Sequence, residues 1–156
     1  MNGKGLARQY ELSGGALARN LDGVTDAAAR MAPSGGGSSI NWVVGHVLRC
    51  RQGRIFPALG LEGFWPDERH ELYVKGTTPA GNAGLEVSLS EMTSLLQRSQ
   101  ESLLARLREI SDAELAQPLA EPHEKFGATV GELVAFFSYH ESYHVGQVAT
   151  LRRLGG

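Results

Sequence analysis

The chain has little of what secreted and membrane proteins rely on. One cysteine, Cys50, in 156 residues cannot close an internal disulfide. No apolar run approaches the ~18 residues a bilayer-spanning helix needs, and the opening stretch MNGKGLARQYEL lacks the apolar centre of a signal peptide. Charge of one sign is scarce as well. Fifteen Lys and Arg against 17 Asp and Glu leave a formal charge of -2, with the basic residues scattered. Such a surface offers no electrostatic footprint for DNA or RNA. These absences predict a protein of the reducing cytoplasm with no nucleic acid and no membrane partner.

What is present is ordinary for a globular protein, with 42% apolar and 21% charged residues. The length suits one domain over 1–156, large enough to bury a sizeable core. Many of the 20 glycines gather at 35–37 and within 76–84, which reads as loop.

Four segments carry the 3.6-residue apolar period, and none alternates with period two as a strand would. The first runs from about Leu6 to Asp22, with Gly14 and Gly15 in its middle and Gly23 as its stop. The second begins with Ser38 or Ser39 as N-cap and runs to Pro57. The third and fourth open with Ser88/Glu91 and Thr129/Glu132, each at capping-box spacing, and the fourth continues to Leu154. The expected fold class is therefore all-α: a four-helix bundle with a long crossover connection, Ala58 to Val87, between helices 2 and 3. Segments 21–32 and 107–118 echo each other, sharing apolar, Ser/Thr, Asp and Ala positions. Duplicated helix hairpins would give that pattern, as would two helix exits each followed by an N-cap.

The chemistry is concentrated in HESYH, residues 140–144, which matches the H-E-x-x-H signature of zinc proteases. On a helical projection from Leu133, His140 and His144 fall about 20° to either side of the apolar stripe, so both face the core. Glu141 falls about 80° away, at the rim, and Gln147 about 40° away on the side of His140. Two inward imidazoles one turn apart need polar partners, and a shared metal ion satisfies both. Proteases of this kind take a third ligand downstream. Here VGQVATLRRLGG contains no His, Asp, Glu or Cys, so a peptidase is excluded on supply.

Upstream, His46 in NWVVGHVLRC shares a stripe with Trp42, Val43, Cys50 and Gly53. It is either the third ligand or a core residue packed beside Gly45. Cys50, one turn on, is a thiolate ligand or a small buried hydrophobe. His70 and His123 lie in charged or proline-containing surroundings and read as solvated surface residues. Trp65 and Tyr73 line a pocket or anchor the crossover on the bundle.

The W-x-x-G-H segment Trp42–His46, the long connection, and the C-terminal HESYHVGQVATLRRL together resemble the DinB family. The likeness runs from the LDGVTD turn at 21–26 to Leu154. It implies a four-helix bundle, a divalent metal held by His46, His140 and His144, completion of the site by water, and a homodimer. Some DinB relatives use a low-molecular-weight thiol, in bacillithiol transfer or mycothiol-dependent isomerisation; others are described as hydrolases. Mycothiol-dependent relatives replace a histidine of the last helix by Glu, whereas this chain keeps both.

Three neutral imidazoles leave a bound divalent ion its full Lewis acidity, and zinc and nickel both suit such ligands. The resulting expectation is a metal-dependent small-molecule enzyme of thiol S-transferase type. Hydrolysis with Glu141 as proton acceptor, or metal binding without turnover, are the alternatives. Gln147 is placed to hydrogen-bond a ligand or a bound water.

Overall fold

The computed structural model describes residues 2–78 and 84–155, with the Asp67 side chain excepted. Residues 79–83, part of the expected crossover and its glycine-rich loop, lie outside the described residues. The chain is mostly helical. Its long helices are α1 (Gly3–Leu21), α3 (Ile40–Cys50), α6 (Leu89–Glu109) and α8 (Val130–Leu154), with short helices α2 (Asp26–Arg30), α4 (Phe56–Ala58), α5 (Asp67–Glu71) and α7 (Asp112–Leu115) between them.

Caps explain most of the boundaries. The Asn2 side chain accepts from Gly5 N at 2.9 Å, so α1 starts three residues before the expected Leu6. Ser39, rather than Ser38, caps α3 through Trp42 N. At Thr129 both halves of the capping box form with Glu132, whereas at Ser88 the structure records the serine half, from Glu91 N. The echoing segments are two short helices capped alike, α2 by Thr25 and α7 by Ser111, each with an aspartate in the first turn.

Two departures from expectation have clear causes. The second helix reaches Pro57 only by way of a π-helical stretch, Arg51–Ile55, inserted between α3 and α4. Insertions of this kind rotate the residues beyond them relative to those before. The expectation of no strand is also corrected. Pro118–His123 (β1) and Gly127–Thr129 (β2) form an antiparallel ribbon before α8. Its residues are mainly exposed, so no apolar alternation marks it, and prolines are tolerated because both strands are edges.

Packing joins α1 to both α6 and α8, and α3 to both α6 and α8. The core divides along the helix axes. One apolar cluster gathers Leu17, Val43, Val47, Leu48, Met92, Leu96, Val145 and Val148. The other gathers Leu6, Tyr10, Phe56, Leu103, Leu107, Val134 and Phe137. Between them come Ser13 of α1, Arg51 of the π-helical stretch, Ser99 of α6 and Glu141 of α8, each buried and polar. Glycines 14 and 15 do not interrupt α1; a Cβ on Gly14 would lie 2.7 Å from the Gln100 side chain, which reaches past it to Tyr10 O.

The crossover is anchored by its aromatics. Tyr73 is fully buried and Trp65 is 5% exposed, their rings 5.6 Å apart. Tyr73 Oη donates to Asn41 Oδ1 and accepts from Val87 N, tying together α3 and the lead-in to α6. A Cβ on Gly45 would collide with the Tyr73 ring, so α3 needs glycine there for the crossover to seat. Among the described residues no helix is long and apolar enough to cross a membrane.

Candidate metal centre

His46 enters from α3, His140 and His144 from α8. One ring nitrogen from each lies within 4.8 Å of the other two, a group that can hold a metal ion. His140 Nε2 and His144 Nε2 are 3.2 Å apart, close to the ~3.3 Å separating two nitrogens on one tetrahedral ion at ~2.05 Å. His46 is 7% exposed, and its ring centroid stands 5.3 Å from that of His140 and 5.1 Å from that of His144.

The far side of two rings fixes which nitrogen is free. His46 Nδ1 is 2.8 Å from Tyr73 O, and His144 Nδ1 is 2.9 Å from Gln147 Oε1. Both partners are oxygens that accept only, so each Nδ1 carries the proton and each Nε2 keeps a lone pair turned toward the other histidines. Gln147 thus performs the supporting role expected of it. Trp42 stacks on the His46 ring at 5.0 Å and 7°, and Phe136 and Phe137 lie against His140.

This apolar lining favours the neutral imidazole in all three cases. Burial holds His140 down to about 4, helped by the charges of His144, His46 and Lys125. Burial likewise lowers His46 against an opposing hydrogen bond to Tyr73 O, and lowers His144 against Gln147 and Glu141. Neutral rings with converging lone pairs are what a divalent ion requires.

Glu141 corrects the sequence reading. It is 3% exposed, not a solvated rim residue. Arg51 Nε donates to Glu141 Oε2 and Arg51 Nη2 to Oε1, both at 2.8 Å, and Ser13 Oγ donates to Oε1 at 2.7 Å. Arg51, itself 1% exposed, also reaches Ser99 Oγ and Gln100 Oε1. Burial works against the guanidinium charge, yet the facing carboxylate raises its pKa on balance. The carboxylate of the H-E-x-x-H match is therefore bound to a buried cation away from the histidines. Arg51 was missed because nothing local distinguishes it; the available signal was a charged residue following an apolar helix whose partner helix carries an acid, Glu141, well inside its length.

Cys50 Sγ lies 3.8 Å from His46 Nε2, but burial pushes its thiol up to about 12, so it stays protonated and behaves as a small hydrophobe. His123 is exposed on β1, as expected. His70 differs from expectation: it is half-buried on α5 with its ring 5.1 Å from Trp65.

No curated protein sequence matches the chain. Among solved structures, the conserved protein of a locus from Enterococcus faecalis superposes with a TM-score of 0.79 at 17% identity, covering 99% of this chain and 97% of that one. At that identity the likeness speaks to the fold. The family comparison reaches further, because the DinB superfamily pattern matches residues 9–148, a span that holds all three histidines. The chain belongs to the DinB superfamily.

Proposed function

We propose that the chain binds a divalent transition metal, zinc or nickel, through His46, His140 and His144, and uses it in small-molecule thiol S-transfer. The observation that carries this is the convergence of three imidazole nitrogens, with the tautomers of His46 and His144 set by Tyr73 O and Gln147 Oε1. Superfamily membership supports it. A bound ion supplies Lewis acidity that acidifies a thiol or a water. The protein's own part is to hold three neutral rings in place and to keep the surroundings apolar with Trp42, Phe136 and Phe137.

Thiol transfer is preferred to hydrolysis because of Glu141. Hydrolysis calls for a base within hydrogen-bond reach of water, and this carboxylate is spent on Arg51 and Ser13. A thiol acidified by a metal needs no such base. The packing of α1 and α3 each against α6 and α8 supports the finer reading of a four-helix bundle with a crossover before α6.

The test is metal analysis of purified wild type and His46→Ala, followed by conjugation of monochlorobimane with low-molecular-weight thiols. One metal per chain in wild type, lost with its conjugation activity in His46→Ala, is the expected result. Unchanged metal content in the variant sinks the site, and metal without conjugation points to binding alone.

A further inference from the structure

Beside α3, the π-helical stretch and the crossover line a pocket of about 640 Å³, with Arg49, Gln52, Arg54, Trp65 and Glu71 among its walls. It uses none of the three histidines, although Arg49 lies one turn along from His46. Its wall is rich in donors without acceptors. Among the described residues, Arg49 Nε, Gln52 Nε2 and Trp65 Nε1 are buried with no hydrogen-bond partner. Gln52 is 3% exposed and Trp65 5%. The Gln52 amide cannot turn to relieve this, because its Oε1 already accepts from Phe64 N at 2.8 Å, which leaves the NH₂ as the unpaired end.

Leaving a donor buried and unpaired costs about 1–3 kcal/mol, and native proteins rarely gather several on one wall without something to accept from them. The charges decide the kind of acceptor. Arg49 and Arg54 bring two positive charges to the lining and Glu71 one negative, which leaves a net charge that a singly charged anion balances. We infer that this pocket is a binding site for a small carboxylate, seated against Arg49, Gln52 and Trp65. Paired guanidinium, amide and indole donors suit the two oxygens of a carboxylate, and Glu71 opposes a dianion. The donor atoms are covered, so the anion seats with the small side-chain adjustments common at binding surfaces.

The two tryptophans provide the test. Trp65 reports the pocket through its indole N–H; Trp42, whose Nε1 donates to Thr77 Oγ1 and whose ring stacks on His46, reports the histidine site. Proton–nitrogen spectra of the full chain are recorded, with and without zinc, during titration with sodium acetate, inorganic phosphate or sodium chloride at matched ionic strength. The expected result is a saturable shift of the Trp65 indole with acetate, a weaker response to phosphate, and a Trp42 signal that stays put. Arg49→Met/Arg54→Met is expected to weaken acetate binding about tenfold or more while metal content is retained, which shows that the variant folds. An unmoved Trp65 signal means a wall satisfied by water and overturns the site. Stronger binding of phosphate overturns the assignment to a carboxylate. A response that needs zinc and vanishes in His46→Ala places the anion on the metal and also overturns it. A Trp65 response in a chain that binds no metal supports the pocket while refuting the proposed function, so the two fail separately.

Discussion

At the scale of single residues, position on a helix decides which of two neighbours does chemistry. The buried residues of α8 include Val134, Phe137, Ser138, Glu141, Val145 and Val148. Measured from Leu133, their arc centres about 80° round, so Glu141 is its middle and the histidines stand on its flank. A stripe centred on Leu133 instead puts the acid at the rim. Spacing within one helix makes the His140–His144 pair and its support from Gln147 legible, and the resemblance of the W-x-x-G-H segment brings in His46; Arg51 against Glu141, 90 residues apart, leaves no such mark. Glu141→Ala should therefore destabilise the fold by about 3–5 kcal/mol, because it strands a buried guanidinium. Arg51→Met/Glu141→Leu should recover most of that loss. Urea denaturation of wild type and the two variants measures both, and a stable, fully folded Glu141→Ala would contradict the pairing. His140 adds a pH dependence. Its folded-state pKa, about 4, lies below the ordinary 6.5, so the unfolded chain binds the proton more tightly. Stability of the metal-free protein is full above about pH 6.5 and falls as the pH drops from there toward about 4. Urea midpoints across that window should decline, and decline less in His140→Phe.

At the scale of elements, caps and periods made the long helices legible. Ser88 and Thr129 each accept the backbone N–H three residues on, as their spacing predicts, and Ser39, one of two serines expected to cap α3, does the same. The π-helical stretch was not legible, since RQGRI carries no local signal for it; it forms where Arg51 must face Glu141 while Ile55 and Phe56 enter the second apolar cluster. The β1–β2 ribbon was hidden for the opposite reason, being too exposed to show an apolar pattern. Because the Thr129 box closes the turn between that ribbon and the histidine-bearing helix, Thr129→Ala should lose about 1 kcal/mol. For a chain of this size that corresponds to a fall of about 2–4 °C in Tm. Scanning calorimetry checks it, and an unchanged Tm would mean that the cap contributes nothing.

At the scale of the whole molecule, the candidate metal centre joins parts of the chain that are remote in sequence. His46 comes from the first half and His140 and His144 from the last helix, while the backbone oxygen that orients His46 belongs to the crossover at Tyr73. An ion bound there engages only the folded chain, since unfolding separates its ligands. Binding must then raise global stability by RT ln(1 + [metal]/Kd), about 2.7 kcal/mol when the free metal is 100 times Kd. Unfolding curves recorded at rising zinc or nickel concentration should shift upward in Tm without limit set by any single helix, and a chelator should reverse the shift. His46→Ala should flatten the response, because two imidazoles one turn apart on α8 link no other element to it. If His46→Ala keeps the full metal-dependent rise, the stabilisation comes from α8 alone and the crossover's grip on His46 has no part in holding the fold.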